Sequence, residues 1–260
     1  MNKILTIMDK EWAEIFKNRL ILYTMFLMPL VFTALPLGML GAMGGQSAGD
    51  VTDMPPQFLE LCGALQGTEC YQLFMSNQFL LLFMMLPLVI PATIAAYSIV
   101  GEKTTRCLEP LLATPISTVE LLLGKGLAAL IPGVAAGWGS FALFALGAWI
   151  LVDSPALLAR LLDGMWFIAI GVVGPLVALA GISVAIMVSS RVNDPRTAEQ
   201  ITMVLIIPLL GLFFAQIAGV VMVNAGLLWA LAGVLVLVDV GLVWFGARAF
   251  QRETILTKWK

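Results

Sequence analysis

The sequence contains no histidine among its 260 residues, and only 12% of them are charged. Without histidine, the chain cannot build the His-containing zinc sites or Ser-His-Asp triads of many hydrolases. The few lysines and arginines are too scattered for a nucleic-acid surface. Gly124-Lys125 does not complete a phosphate-binding loop, because Val119 and Gly126 stand where that motif has glycine and Ser/Thr. We therefore expect no catalytic site, cofactor or metal in this chain.

Apolar residues make up 60% of the sequence, which is above the range of soluble domains. They are concentrated in six stretches that are almost free of charge. Each stretch is long enough to cross the roughly 30 Å hydrocarbon layer as a helix. The stretches are 20–43, 79–100, 127–151, 165–188, 201–223 and 227–247. The sequence predicts an all-α polytopic membrane protein with six transmembrane helices, in a single domain over residues 1–260.

The basic residues predict the orientation of these helices, since cytoplasmic segments are enriched in lysine and arginine. All basic residues except Arg160 fall in the N-terminal arm, in the connections after the second and fourth stretches, or in the C-terminal tail. Arg160 shares the remaining connections with acidic residues such as Asp53, Glu69 and Asp163. We expect a multi-pass protein of the plasma membrane with both termini in the cytoplasm.

Residues 1–19 precede the first stretch and carry apolar residues at helical spacing, among them Ile7, Trp12 and Ile15. The pattern favours an amphipathic helix in the membrane interface, with Trp12 at headgroup depth. The alternative is a helical extension of the first span. We favour a separate helix because Asn18-Arg19 makes a polar break before Leu20.

The longest connection on the predicted outer side is 44–78. It contains Cys62 and Cys70, and an oxidising exterior would permit a disulfide between them. The sequence alone leaves open whether this bond forms.

Asp239 is the one charged residue inside a predicted span. A carboxylate in the bilayer must face protein or water, or stay protonated. Asp239 could serve as a proton or cation site, with Gln216 among its few polar companions. Alternatively, it is a neutral acid that is hydrogen-bonded to a neighbouring helix.

The most informative segment is the polar connection 101–126, on the predicted cytoplasmic side. We expect a short helix over 102–112 with Glu102 near its N-terminal end. The spacing Ser117-x-x-Glu120 predicts a capping box that opens a second helix. The segment could be a docking element for a soluble partner or a solvated hairpin. A docking element would leave these side chains available to the partner: Glu102, Lys103, Arg106 and Glu109.

The motifs of this connection resemble those of the permease subunits of type-2 ABC exporters. That family has an acidic-basic start, then Leu-Glu-x-Leu-Leu, Thr-Pro-x-Ser and Gly-Lys. The chain has Glu102-Lys103, Leu108-Glu109-x-Leu111-Leu112, Thr114-Pro115-x-Ser117 and Gly124-Lys125. Lys10-Glu11 before the first span, and Asp194-Pro195-Arg196 after the fourth, are similar too. The chain departs from the family at Arg106-Cys107, where Gly-Thr is usual.

The resemblance implies one half of an export permease. It would pair with a second permease half, identical or homologous, and with two copies of a cytoplasmic ATPase that binds ATP and Mg²⁺. The segment 102–116 would be the coupling helix. Its contacts with the ATPase would come from Glu102, Lys103, Arg106, Glu109, Thr114 and Pro115. Two other functions stay open: an ion-coupled carrier or channel that uses Asp239, and a non-transporting assembly subunit. The transported substrate stays open as well.

Overall fold

The computed structural model describes residues 3–43, 58, 62–63, 65, 67–104 and 116–249. Every regular element in these residues is a helix. A π-helical turn (Ala169–Val173) follows Ile168, and a 3-10 turn (Met203–Leu205) follows Thr202. The helices are α1 (Lys3–Ile15), α2 (Arg19–Met43), α3 (Thr68–Thr104), α4 (Thr118–Leu151), α5 (Pro155–Leu161), α6 (Gly164–Ile168), α7 (Gly174–Ser189), α8 (Pro195–Thr202), α9 (Ile206–Ile217) and α10 (Ala225–Ala249).

Six helical segments in this part of the chain are long and apolar enough to cross a membrane. The prediction of an all-α polytopic membrane protein is thereby confirmed. Two of the helices, α3 and α4, are longer by nine or more residues than the apolar stretches from which they were predicted. The α3 helix has 37 residues and is therefore about 55 Å long, well beyond the hydrocarbon thickness. The α4 helix begins at Thr118, nine residues before its apolar stretch begins at Leu127. Their extra turns carry polar side chains that form the site described below.

The two ends of the helix bundle differ in charge. We call the end that carries α1, the start of α4 and the 190–194 turn the basic end, because Lys10, Lys125 and Arg191 lie there. We call the opposite end, with α5 and the start of α3, the acidic end. There Arg160 lies in a region that also contains Glu69 and Asp163.

Helix α3 is the central helix of the bundle. Its most apolar stretch is 82% buried, whereas the most apolar stretches of the α8–α9 span and of α10 are each 17% buried. It packs against α2, α4 and α7. Phe83 of α3 meets Phe144 of α4 and Trp166 of α6 in an aromatic cluster. Any movement of α3 must therefore displace most of the bundle.

Glycines allow α4 to approach the proline-containing face of α3. A Cβ atom at Gly133 would lie 2.5 Å from Pro91 Cδ, and one at Gly137 would lie 3.4 Å from Pro87 Cδ. The first distance is too short for any side chain, and the second leaves little room. The Gly133-x-x-x-Gly137 spacing therefore serves close packing between α3 and α4.

Helix α1 is separate from the first span, as predicted. It ends at Ile15, and the turn that follows is closed by hydrogen bonds such as Asn18 N to Ile15 O, at 3.1 Å. Instead of standing free, α1 packs along the start of α4. The Trp12 Nε1 atom donates a hydrogen bond to the Ala128 carbonyl, at 3.0 Å.

At the acidic end, Cys62 and Cys70 are joined in a disulfide. Cys70 lies in the first turn of α3, and both cysteines are buried. The bond fastens the end of the 44–67 connection to α3.

Candidate functional site: a buried ion cluster at the basic end

A cluster of charged side chains joins three helices at the basic end. It consists of Lys10, Glu11 and Glu14 of α1, Ser98 and Glu102 of α3, and Lys125 of α4; we call it the ion cluster. The exposed fractions of Glu11, Glu102 and Lys125 are 2%, 5% and 6%. Charged groups are seldom buried so deeply unless they are paired.

Lys125 is the centre of the ion cluster. Its Nζ atom lies 2.7 Å from Glu11 Oε1, 2.8 Å from Glu102 Oε2 and 2.8 Å from Ser98 Oγ. The ammonium group donates hydrogen bonds to Glu11 and Ser98, and it forms an ion pair with Glu102. The Ser98 hydroxyl in turn donates to Glu11 Oε2, at 2.6 Å. One side chain of α4 thus connects α1 to α3.

The helices place these groups for simple reasons. Glu11 lies on the face of α1 that buries Ile7, Met8 and Ile15, so docking of α1 also buries its carboxylate. Gly124 precedes Lys125, and a Cβ atom at this glycine would lie 2.8 Å from Ile7 Cγ2. The missing side chain at Gly124 lets α1 lie close enough for Glu11 to reach Lys125.

Lys10 closes the solvent side of the ion cluster. Its ammonium group pairs with Glu102, with Glu14 at 3.3 Å and with Glu11 at 3.7 Å. Burial alone would lower the pKa of Lys10. The hydrogen bond and charge of Glu102, with the charges of Glu11 and Glu14, outweigh burial and raise this pKa above its ordinary value. Lys10 therefore stays charged throughout the physiological range.

The three carboxylates approach each other as metal ligands do. Glu11, Glu14 and Glu102 each offer an oxygen atom, and these atoms lie within 4.8 Å of one another. The Lys10 and Lys125 ammonium groups already contact these carboxylates. Lysine supplies the positive charge that a cation would otherwise provide.

The structure corrects the role predicted for Glu102. It does not open a short helix after the second span, because α3 continues without a break to Thr104. Its side chain is buried and paired within the chain, so it is not available to a partner. The reason lies in tertiary contacts: the positive charges of Lys10 and Lys125 stabilise the Glu102 carboxylate at a buried position within α3. We expected Glu102 to lie near a helix N-terminus, and this prediction was wrong.

Lys103 also makes contacts within the chain. Its Nζ atom donates to the carbonyl oxygens of Ser190, at 3.3 Å, and Val192, at 3.2 Å. These carbonyls lie just beyond the end of α7, where a cation is favourable. The last turn of α3 is therefore fastened to α7 as well as to α1 and α4.

The remaining residues predicted to contact an ATPase lie outside the described part of the chain: Arg106, Glu109, Thr114 and Pro115. The structure does describe both flanks of their segment. The predicted capping box is confirmed on the C-terminal flank, with Glu120 N donating to Ser117 Oγ at 3.1 Å and Ser117 N donating to Glu120 Oε2 at 2.8 Å. Segment 105–115 thus begins one residue after α3 ends, and the capped start of α4 follows it.

The two polar residues predicted inside the membrane, Asp239 and Gln216, lie on different helices. Gln216 lies near the end of α9, and Asp239 lies 14 residues after the start of α10. Asp239 is 3% exposed, and neither of its carboxyl oxygens has a hydrogen-bond partner among the described residues. The expected hydrogen bond to a neighbouring helix is therefore not seen in this part of the chain.

Sequence reasoning noted Lys10-Glu11 and Gly124-Lys125 only as family motifs, and it predicted no site role for Glu11, Ser98 or Lys125. One signal for Glu11 was present, since it occupies the apolar face of α1, three residues after Met8 and four before Ile15. A carboxylate on such a face needs a buried partner. For Lys125 the signal was weaker: a single lysine between two glycines at the edge of an apolar stretch.

A family model described as ABC-2 family transporter protein matches residues 5–228. The chain belongs to the ABC-2 transporter family. The resemblance inferred from its motifs is thereby confirmed. The match begins inside α1 and ends inside α10, so it includes the whole ion cluster and both flanks of segment 105–115. No curated protein gives a significant match to the chain.

Family membership makes this chain a membrane permease component of an ABC transporter. Such permeases are transport components and associate with an ABC ATPase. In this ABC-2 permease, Glu102 of the ion cluster precedes segment 105–115 by three residues in the sequence, and the Leu-Glu-x-Leu-Leu stretch lies within that segment.

Proposed function

We propose that this ABC-2 permease is the transmembrane subunit of an ATP-driven exporter and that segment 105–115 receives the force of a cytoplasmic ATPase. Two permease halves, identical or homologous, would enclose the substrate path, and two ATPase subunits would bind ATP and Mg²⁺. Both termini would lie in the cytoplasm. The ion cluster carries the proposal, because it fastens α1 and α4 to the last turn of α3.

The contacts suggest how a displacement would spread. A push on segment 105–115 reaches the last turn of α3 directly, and Glu102 transmits it to α4 through Lys125 and to α1 through Lys10. Lys103 transmits it to the end of α7. Because α3 is the central helix, its tilt would rearrange the whole bundle between two states. The ion cluster and Lys103 together would thus make four helices move as one body.

The proposal separates two kinds of variant. Arg106→Ala with Glu109→Ala changes only segment 105–115 and should reduce recovery of the ATPase with the tagged permease from native membranes. Glu11→Gln weakens the ion cluster without changing that segment. It should keep the ATPase bound, and ATP hydrolysis should continue while export falls about tenfold or more, as one lost charge-assisted hydrogen bond predicts.

The matched control is Arg191→Ala, an exposed basic residue of the 190–194 turn. It should leave both ATPase recovery and export unchanged. If the segment variant recovered the ATPase as well as the unchanged chain does, segment 105–115 would not be the docking element. If Glu11→Gln exported normally, the ion cluster would have no part in coupling.

One observation favours a second function, ion-coupled transport. Asp239 is buried with no hydrogen-bond partner among the described residues, and an intramembrane carboxylate of this kind marks a candidate proton or cation site. Transport through such a site should stop in Asp239→Asn and should continue in membranes that lack the ATPase. If the protein is an ATP-driven exporter, transport should continue in Asp239→Asn and should stop in membranes that lack the ATPase.

A further inference from the structure

Helix α8 places a second carboxylate, that of Glu199, at the depth of the membrane. In the sequence Glu199 precedes the fifth apolar stretch, but in the structure α8 and α9 belong to one membrane-spanning segment. The Glu199 Oε1 atom lies 2.6 Å from the hydroxyl group of Thr93 in α3. Thr93 comes seven residues before Val100, the end of the apolar stretch of α3. Measured along α3, the carboxylate is therefore about 10 Å inside the hydrocarbon layer.

The packing of α8 against α3 agrees with this depth. Ala198 is fully buried in a small core that it forms with Ala96 and Val100 of α3. Farther along the chain, Met203 packs against a second core, which contains Ile94 of α3. Helix α8 thus runs beside the last apolar turns of α3, although its own sequence is rich in polar residues.

The charge of Glu199 has little compensation within the chain. Glu199 forms no ion pair with any described residue, and Thr93 is its one polar contact among them. The Thr93 hydroxyl also lies 2.9 Å from the Val89 carbonyl, so its single proton is shared between two acceptors. Thr93 is fully buried, but Glu199 is only half-buried, and its Oε2 atom is not among the polar atoms that the described residues enclose. This oxygen is therefore open to water, to a ligand or to another protein.

The side of α8 that faces away from α3 is polar as well. Arg196, Thr197 and Gln200 are exposed, whereas Ala198 and Thr202 are buried on the other side. We call the exposed side the open face of α8. Polar and charged groups inside a membrane face protein or a water-filled cavity rather than lipid. The open face of α8 is therefore suited to line a path that contains water.

We infer that the open face of α8 lines the substrate path in its half nearer the basic end, and that Glu199 gives this path a preference for lipophilic organic cations. The carboxylate supplies the negative charge that a partly dehydrated cation needs. Ile201, Val204 and Ile207 are exposed just beyond Gln200 and suit the apolar part of such a molecule. The inference rests on the proposed function only in that the permease has a substrate path; the binding that it describes needs no ATPase.

The test measures water access and electrostatic potential beside Glu199 in the full-length chain. Gln200→Cys is combined with Cys107→Ser, and the purified protein is placed in nanodiscs, which leave both sides open to reagents. The probes are two methanethiosulfonates, one with a cationic trimethylammonium group and one with an anionic sulfonate. Both should modify the introduced thiol. Relative to their rates with a free thiol, the cationic reagent should react about tenfold faster, because Glu199 attracts it and repels the anion.

Three further variants locate the effect. Glu199→Gln should abolish the preference for the cationic reagent, while its amide oxygen can still accept from Thr93 and keep α8 in place. Asp9→Asn is the matched control, since it removes an exposed carboxylate of α1 and should leave the preference unchanged. Val240→Cys tests the position: Val240 is 65% exposed on α10 and, like Thr93, lies seven residues from the end of its apolar stretch. It should resist both reagents because it faces lipid.

Tetraphenylphosphonium and tetraphenylborate, which share a shape but carry opposite charges, test the substrate class. Tetraphenylphosphonium should slow modification of the introduced thiol, and this protection should be lost in Glu199→Gln. Tetraphenylborate should not protect it. Equal protection by the two ions, or a cation preference that persists in Glu199→Gln, would overturn the inference. Equal reactivity at positions 200 and 240 would overturn it as well.

Two other results have a distinct meaning. If a second permease half covered the open face of α8 tightly, the introduced thiol would resist both reagents and would form a disulfide between copies on oxidation; this would overturn the inference. Failure of the proposed function looks different. If the thiol results held but inverted native vesicles did not accumulate tetraphenylphosphonium on addition of ATP, the cation site would stand and the ATP-driven exporter would not.

Discussion

At the scale of single residues, the main feature is the burial of opposite charges in the ion cluster. Removing water from an ammonium and a carboxylate costs several kcal/mol for each ion, and their attraction returns this only when every donor is matched. Lys125 has two hydrogen bonds, to Glu11 and Ser98, and an ion pair with Glu102. Replacing one charged member of the ion cluster should therefore lower the stability of the protein strongly, because its partners stay buried and charged. Replacing all of the charged members by neutral residues should lower it much less.

We predict that Lys125→Met lowers the free energy of unfolding by about 3–5 kcal/mol, because Glu11 and Glu102 would remain buried without their shared cation. Equilibrium unfolding of the purified chain in mixed micelles measures this. Adding Glu11→Gln and Glu102→Gln to Lys125→Met should restore most of the loss. The exposed Lys17→Met serves as the control and should change stability by less than about 0.5 kcal/mol. A triple variant no more stable than Lys125→Met alone would contradict the charge argument.

The same residues show what a sequence can and cannot predict. The capping box of Ser117 and Glu120 was predictable because its partners are three residues apart and the rule is local. Glu11 and Lys125 are 114 residues apart, and no local pattern states that they meet. Glu102 was misplaced for this reason: local rules favoured a helix start, while its tertiary partners allowed α3 to continue past it.

At the scale of helices, the docking of α1 depends on one glycine. The approach of Ile7 to the backbone of α4 leaves no room for a methyl group at Gly124, whereas a Cβ atom at Gly126 would lie 3.8 Å from its nearest neighbour, Ile182 Cγ2. The two glycines stand in the same helix, two residues apart. They therefore form a matched pair for the same substitution.

Gly126→Ala should leave stability unchanged or raise it by up to about 1 kcal/mol, since alanine favours helix formation. Gly124→Ala should lower stability by about 1–3 kcal/mol, as overpacking does, and should loosen α1. Trypsin cleavage at Lys10 and Lys17 reports on that loosening. Ile7→Ala should reverse the effect of Gly124→Ala because it removes the clashing side chain. If both glycine variants resisted trypsin equally, the close approach of α1 would not matter.

The six spans were predictable at this scale because long apolar stretches depend only on local composition. The true lengths of α3 and α4 could not be predicted. Their first turns, 68–78 and 118–126, are too polar to be recognised as parts of a membrane span by hydropathy. Contacts at the two ends make those turns helical: the disulfide lies at the start of α3, and the ion cluster lies at the start of α4.

At the scale of the whole molecule, the sequence assigns the basic end to the cytoplasm, and its three cysteines can test this. Cys62 and Cys70 are joined at the acidic end, and Cys107 belongs to segment 105–115. We predict that a membrane-impermeant maleimide labels Cys107 only in inverted vesicles. In intact cells it should label Cys62 and Cys70 only after reduction. Cys107→Ser provides the control, and labelling of Cys107 in intact cells would reverse the orientation.

The burial of the helices also describes the whole molecule. The most apolar stretches of α2, of the α8–α9 span and of α10 are 22%, 17% and 17% buried, and these helices expose large apolar side chains such as Tyr23, Phe214 and Leu237. These surfaces must face lipid or another membrane protein. In contrast, α3 is covered by the chain itself, which suits a helix that distributes movement.

The ion cluster also has a consequence for the synthesis of the protein. Glu11 leaves the ribosome 114 residues before Lys125, so the cluster can close only after α4 has been inserted. It closes only if α1, the end of α3 and the start of α4 have reached the same face of the bilayer. A chain that inserted one span backwards would strand two carboxylates and a lysine without partners, and would stay unstable enough for membrane proteases to remove it. The ion cluster would thus stabilise only those chains whose spans have been inserted in the correct orientation.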